Sequence, residues 1–180
     1  MTPAEGPGRV IAYPAGAGAV RTRVLEAGSG DHAVLMLHGV GARADRWMAN
    51  LPGLAAAGLH TYAVDFPGHG FAEKGPALDY SVAGFAEFVL ELMDTLQLSS
   101  CSLVGTSLGG HVAARIAVDA PDRVRSLTLV GPMGMVPTGI AVRRALAQSI
   151  VDTSREGIAD KLRALVYDDA LVTDSWIEEE

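Results

Sequence analysis

Residues 103–115 read LVGTSLGGHVAAR. An apolar run leads into a serine flanked by glycines two positions to either side, and a helix-like run leads out. Gly105-x-Ser107-x-Gly109 between a strand and a helix is the spacing of a sharp strand-to-helix bend that carries a nucleophile. Glycines are needed there because such a bend leaves no room for β-carbons beside the serine. The bend exposes the Ser107 hydroxyl, sets it near the positive end of the following helix, and offers the Leu108 amide to a negative oxygen. The bland alternative is a helix turn rich in glycine with an idle serine. The flanking strand and helix patterns weigh against it.

Working outward, the runs 33–39 (AVLMLHG), 60–66 (HTYAVDF), 101–105 (CSLVG) and 124–131 (VRSLTLVG) are short and continuously apolar. Continuous rather than alternating hydrophobicity marks strands covered on both faces, as in parallel sheets. Between them lie helical patterns. ADRWMANLPGLAAAG (44–58) is expected to be interrupted by Pro52. Val82, Phe85, Val89, Leu92, Met93 and Leu96 recur on one face of a helix over 80–98, with Ser81 or Asp79 as its cap. HVAARIAVDA (111–120) ends at Pro121. Upstream, RVIAY and VRTRVLEAG predict an edge hairpin around the glycines at 16–18. Four alternations of strand and helix predict a mostly parallel sheet with helices on both faces, joined by right-handed crossovers. Beyond Pro132 only helical patterns follow, at 140–152, 154–168 and 172–180.

Composition narrows the function classes. The chain of 180 residues carries 21 acidic and 14 basic residues, for a formal net charge of −7. That balance offers no footprint for nucleic acid, and it opposes binding to anionic lipid. The single Cys101 excludes an intramolecular disulfide framework, and its apolar setting suits a small buried hydrophobe. No zinc-site spacing of Cys and His occurs, and neither a phosphate-binding nor a dinucleotide-binding glycine loop is present, so no metal and no cofactor is expected. The first residues lack a basic segment followed by an apolar one, and no run reaches membrane-spanning length. A soluble, cytoplasmic chain acting on a small molecule is the expectation.

In open sheets of this class, ligands bind beyond the carboxyl ends of the strands. His38-Gly39, Asp65 to Gly70 and Gly105 to Gly109 all occupy such ends and should converge. Taken together, LHGVG, DFPGHGFAEK, LVGTSLGGHVA and APDRVRSLTLVGP resemble, in kind and in order, the landmarks of the α/β-hydrolase fold family. The resemblance implies a core over 1–131 and the start of a helical lid over 132–180. It also implies that Ser107 is the catalytic nucleophile and that the amides of Val40 and Leu108 form an oxyanion hole. His38, Gly39, Gly105 and Gly109 would support that motif, while Asp65 and His69 would be structural.

The same resemblance leaves Ser107 without partners. In the family the acid and then the histidine follow the nucleophile along the chain. Here His32, His38, His60, His69 and His111 all lie at or before residue 111, and Gly131 and Pro132 occupy the variant position for the acid. His111, four residues after Ser107, shares its helix face but has no acid set to orient it. The expectation is therefore of the first six strands of the family's core, ending before the two that would carry acid and base. Such a piece would lose about 10⁴- to 10⁶-fold in rate. Its uncovered strand edge and apolar helix faces would invite aggregation or pairing with another chain, a homo-oligomer being one form of it.

Within the family, HGVG, DFPGHGFAEK and the lid-like DKLRALVYDDALVTDSWIEE look like the meta-cleavage-product hydrolases of aromatic catabolism. Those serine enzymes break a carbon–carbon bond in vinylogous 1,5-diketone acids. Thr106 stands where they often carry asparagine, and HGVGAR lacks their Gly-Pro-Gly continuation. A lid arginine that meets the substrate carboxylate aligns near Glu180. A lidded carboxylesterase, enol-lactonase or haloperoxidase-like hydrolase is the alternative within the family. A non-catalytic binding module on the same scaffold is the alternative outside it. Arg43, Arg46 and Trp47 could line the pocket mouth, or Trp47 could pack inward.

Overall fold

The computed structural model describes residues 8–137 and 139–180. Its six strands, β1 (Ile11–Ala17), β2 (Val20–Ala27), β3 (His32–Leu37), β4 (Leu59–Val64), β5 (Cys101–Thr106) and β6 (Val124–Val130), form one sheet in the order β1-β2-β4-β3-β5-β6. β1 and β2 are antiparallel, and β2 runs antiparallel to β4. From β4 onward the pairings are parallel. The chain therefore reverses direction across the sheet between β3 and β5. That is the switch point where a crevice opens at the strands' carboxyl ends.

Residues along β3 alternate between two cores, which is why its run is apolar without a break. Leu35 and Leu37 pack with Phe85, Val89 and Leu92 of α2 (Val82–Thr95) and with Val112 and Ile116 of α3 (Leu108–Asp119). Val34 and Met36 pack on the opposite face with Trp47 and with Leu51 and Ala55 of α1 (Leu51–Ala56). Each fully buried large apolar side chain contributes roughly 1.5–3 kcal/mol, so these two layers are what the crossovers exist to cover.

Local sequence features set the boundaries, with three departures from the sequence reading. The hairpin strand β1 runs on through Ala17, and the turn is only Gly18-Ala19, with Gly18 at φ +55°. Pro14 is tolerated inside β1 because this is the sheet's edge strand, where a missing N–H costs no ladder bond. Pro52 does not interrupt a helix. It occupies the first turn of α1, where its absent N–H would have no partner anyway, and the break lies upstream, after a 3-10 turn over Ala44–Trp47. The third departure is at α3, which starts at Leu108, directly after the serine, rather than at His111. Ser81 caps α2 by accepting the Gly84 amide, while Asp79 in turn accepts from the Ser81 amide and hydroxyl.

β6 is the outermost strand, and from Arg125 onward it is exposed, including Leu127, Leu129 and Val130. The chain divides into two compact units between Met135 and Val136. In the second, α4 (Ile140–Val151), α5 (Arg155–Arg163) and α6 (Asp174–Glu179) follow one another. Ala159, Leu162 and Ile177 form a small core of their own there. No helix among the described residues is long and apolar enough to cross a membrane.

Candidate active site

β3 delivers the chain into a loop whose first residue, His38, is completely buried. Its Nδ1–H donates to the Gly39 carbonyl at 2.7 Å, and its Nε2 accepts the Phe66 amide at 3.0 Å. Burial pushes its pKa down to about 4, so the imidazole is neutral and occupied on both sides. A ring so committed ties the loop after β3 to the loop after β4 and has no nitrogen left for proton transfer.

Asp65, at the end of β4, is equally buried. Its carboxylate accepts from the Ala44 amide (2.7 Å), the Phe71 amide (3.0 Å) and the Arg23 guanidinium (Nε, 2.9 Å). Arg23 also pairs with Asp45 and lies over the Phe71 ring at 4.4 Å. Burial alone would raise the Asp45 carboxyl, but the Arg23 guanidinium holds it below the usual carboxylate range. These groups clamp the loops after β3 and β4 to strand β2, and every lone pair Asp65 spends on main chain is one withheld from chemistry.

The serine sits in the bend itself. Ser107 has φ +51° and ψ −114°, a left-handed conformation rare for a residue with a side chain. Its amide donates to the Val130 carbonyl (3.2 Å), and its own carbonyl accepts the amides of His111 (3.1 Å) and Met133 (2.9 Å). The bend is thus fastened to the end of β6 as well as to α3. A β-carbon on Gly105 would collide with the Gly109 carbonyl, and one on Gly109 with the Leu37 carbonyl, so both glycines are dictated by space. One built on Gly39 would lie 3.2 Å from the Ser107 β-carbon and 3.8 Å from its Oγ, which places the loop after β3 against the serine. Among the described residues the Ser107 hydroxyl makes no hydrogen bond, and the amides of Val40 and Leu108 have no acceptor.

The fold thus gathers Ser107, Leu108, Gly39 and Val40 at the switch point, far apart though they are in sequence. Among the described residues it gives Ser107 no basic partner. His111 packs against the main chain of Gly134. His32 meets Ser102 (2.8 Å), and His60 meets Glu26 (2.5 Å). Cys101 is buried, which pushes its thiol up to about 12 and leaves it un-ionised. Trp47 packs inward on the α1 face rather than lining the mouth, and Arg43 pairs with Asp45 at 2.9 Å. Glu180 is held by Lys161 at 2.7 Å.

Beside the bend lies a cavity of about 480 Å³. Val40, Leu108, Val82, Phe85 and Met133 supply its apolar wall, and Gly68, His69, Lys74 and Tyr80 complete it. His69 donates from Nδ1 to the Pro67 carbonyl (3.0 Å), and burial lowers its pKa, which keeps the ring neutral. Sequence reasoning treated His69 as structural and passed over Lys74, Tyr80 and Met133. Their only advance signal was position, since each follows the carboxyl end of a strand.

Comparison with known proteins bears on the family. The sequence model of the alpha/beta hydrolase fold matches residues 32–165. The chain is 37% identical over 162 residues to the dihydrolipoyllysine-residue acetyltransferase component of an acetoin cleaving system from Cupriavidus necator, covering 89% of this chain and 42% of that protein. It is 31% identical over 174 residues to a 2-hydroxy-6-oxononadienedioate/2-hydroxy-6-oxononatrienedioate hydrolase from Burkholderia vietnamiensis, covering 88% and 58%. Among solved structures, a variant of a meta-cleavage product hydrolase superposes with a TM-score of 0.84 at 27% identity, covering 93% of this chain and 62% of that one. A 2-hydroxy-6-oxo-6-phenylhexa-2,4-dienoate hydrolase from a Rhodococcus strain gives 0.79 at 26%, covering 94% and 66%. The chain spans about half the length of the curated relatives it matches.

Proposed function

This chain belongs to the alpha/beta hydrolase fold family, and we propose that it supplies the nucleophile, oxyanion hole and part of the substrate pocket of a serine hydrolase that cleaves a carbon–carbon bond. The observation that carries the reading is the Ser107 bend: a strained serine at the switch point, beside two unsatisfied amides and an apolar cavity. Strain of this kind costs roughly 1–3 kcal/mol and persists where surrounding structure over-determines it.

In the proposed step the Ser107 Oγ, or a water lying beside it, attacks a ketone carbon, and its proton passes to a base. The carbonyl oxygen, taking up the electron pair, moves toward the amides of Val40 and Leu108. The α3 N-terminus adds its dipole at that point. Collapse of the oxyanion then breaks the carbon–carbon bond and expels a dienolate. The dienolate takes the proton held by the base to become the dienol, and water releases the acyl group if it has bonded to serine. No histidine among the described residues is placed as base, so the step needs a base and an orienting acid supplied from elsewhere. Without them the bend and the amides alone would leave the rate about 10⁴- to 10⁶-fold down. The 31% identity to a dienedioate hydrolase supports this choice of chemistry. The 37% identity to an acetyltransferase component favours a second reading, in which the acyl group on Ser107 passes to an acceptor other than water.

A fluorophosphonate probe with mass mapping tests the nucleophile. An adduct at Ser107, absent in Ser107→Ala, is expected. Unlabelled Ser107 in folded protein, with base and acid supplied, would favour a non-catalytic binding module. Turnover of a coloured dienoate against p-nitrophenyl acetate and against an acetyl-thioester donor then separates carbon–carbon hydrolysis, esterase activity and acyl transfer.

A further inference from the structure

Of the described side chains that line the cavity beside Ser107, Lys74 is the only one with a formal charge, and no carboxylate is among them. Its ammonium is fixed by main-chain oxygens, donating to the Gly70 carbonyl at 2.5 Å and the Ala72 carbonyl at 3.2 Å. Those two bonds leave one N–H of the three, and they bring no neutralising charge. Among the described residues Lys74 has no ion-pair partner. The acids near it are already spent: Glu73 pairs with Arg21 and Asp65 with Arg23. A cation anchored by carbonyls, unpaired, at the edge of an apolar cavity is an arrangement that an anion completes.

We infer that Lys74 is a specificity residue, recognising a carboxylate at one end of an otherwise apolar substrate whose reacting carbonyl lies at Ser107. The inference rests on the reading of this cavity as the substrate site. A rigid loop supplies the pre-organisation. Lys74 lies within the stretch 65–74 that Asp65 and His38 hold in place, so little ordering is left to be done on binding. Because Lys74 is itself exposed, the attraction is screened and its effect is modest and sensitive to salt.

Binding to the chain as it stands tests this without turnover. Affinities of 4-phenylbutyrate and of the neutral 4-phenylbutanamide are measured by NMR titration at low and high salt. Wild type is expected to favour the carboxylate by about threefold to fivefold, a preference that shrinks with salt. Lys74→Met should bring the two ligands within about twofold of each other with the amide's affinity unchanged, and Lys74→Arg should keep the preference. Equal binding of both ligands by wild type overturns the inference. So does a Lys74→Met chain that loses both equally, which would mark Lys74 as a loop support only. Fluorophosphonate labelling of the same chains, with base and acid supplied, separates the two readings. Labelling without a carboxylate preference sinks the role of Lys74 alone, whereas a preference without labelling upholds it and removes the nucleophile.

Discussion

The Ser107 bend makes a stability prediction that runs against intuition: deleting the side chain altogether should strengthen the fold. At φ +51° and ψ −114° a residue with a β-carbon is strained by roughly 1–3 kcal/mol, and glycine is not. Glycine costs about 0.5–1 kcal/mol in return through the freer unfolded chain. Ser107→Ala is the reference, since it keeps the β-carbon and loses the same hydroxyl, which makes no hydrogen bond among the described residues. Position 107 caps α3 rather than lying inside it, so helix propensity does not enter. The difference leaves Ser107→Gly more stable than Ser107→Ala by about 1 kcal/mol, or about 2–4 °C in Tm for a chain of this size. Urea unfolding of the three chains, with slopes compared to confirm a common transition, reads it directly. If the glycine variant is no more stable than the alanine variant, the strain at the bend is not there, and the reasoning that links it to function fails with it.

Three further outcomes follow from the same loops. Asp65→Ala leaves Arg23 short of a partner and strips the Ala44 and Phe71 amides, so a loss of about 3–5 kcal/mol is expected in urea titration. His38 makes stability fall with acid. Above about pH 6.5 both folded and unfolded imidazoles are neutral, but below it the unfolded ring takes a proton that the buried one refuses down to about pH 4. The loss reaches about 3 kcal/mol across that window, and His38→Gln should flatten this part of the pH–stability curve while starting from lower stability. Gly109→Ala drives a β-carbon into the Leu37 carbonyl. It should cost at least the upper end of about 1–3 kcal/mol and abolish probe labelling at Ser107, as circular dichroism and mass mapping would record.

Much of the sheet was legible because burial on both faces leaves a mark in one dimension. A strand such as β3 must be apolar at every position when its alternate residues enter two different cores, as Val34 and Leu35 do. Where the pattern misled, a local residue had been read without its neighbours. Pro52 looked like a breaker until its place in a first turn was known, and the glycines at 16–18 looked like a loop until β1 was found to take in Gly16 and end at Ala17. The bend at Ser107 was legible for a related reason: its glycines answer to collisions within a few residues of chain and with the adjoining strand, so the spacing is nearly forced.

The sequence by itself determined the alternation of strands and helices, the bend that carries Ser107 and the order of the loops that follow the strands. Each of these is set by burial periodicity or by steric limits on short stretches of backbone. Only the tertiary structure decided that Gly39 lies against Ser107, that Asp65 and His38 spend hydrogen bonds on loop main chain, and that Lys74 lines an apolar cavity with no counter-charge among the described residues. Those facts depend on residues brought together across the switch point from distant segments. Distance in space, burial and the pairing of charges are properties of that assembly, and no pattern along one chain encodes them locally.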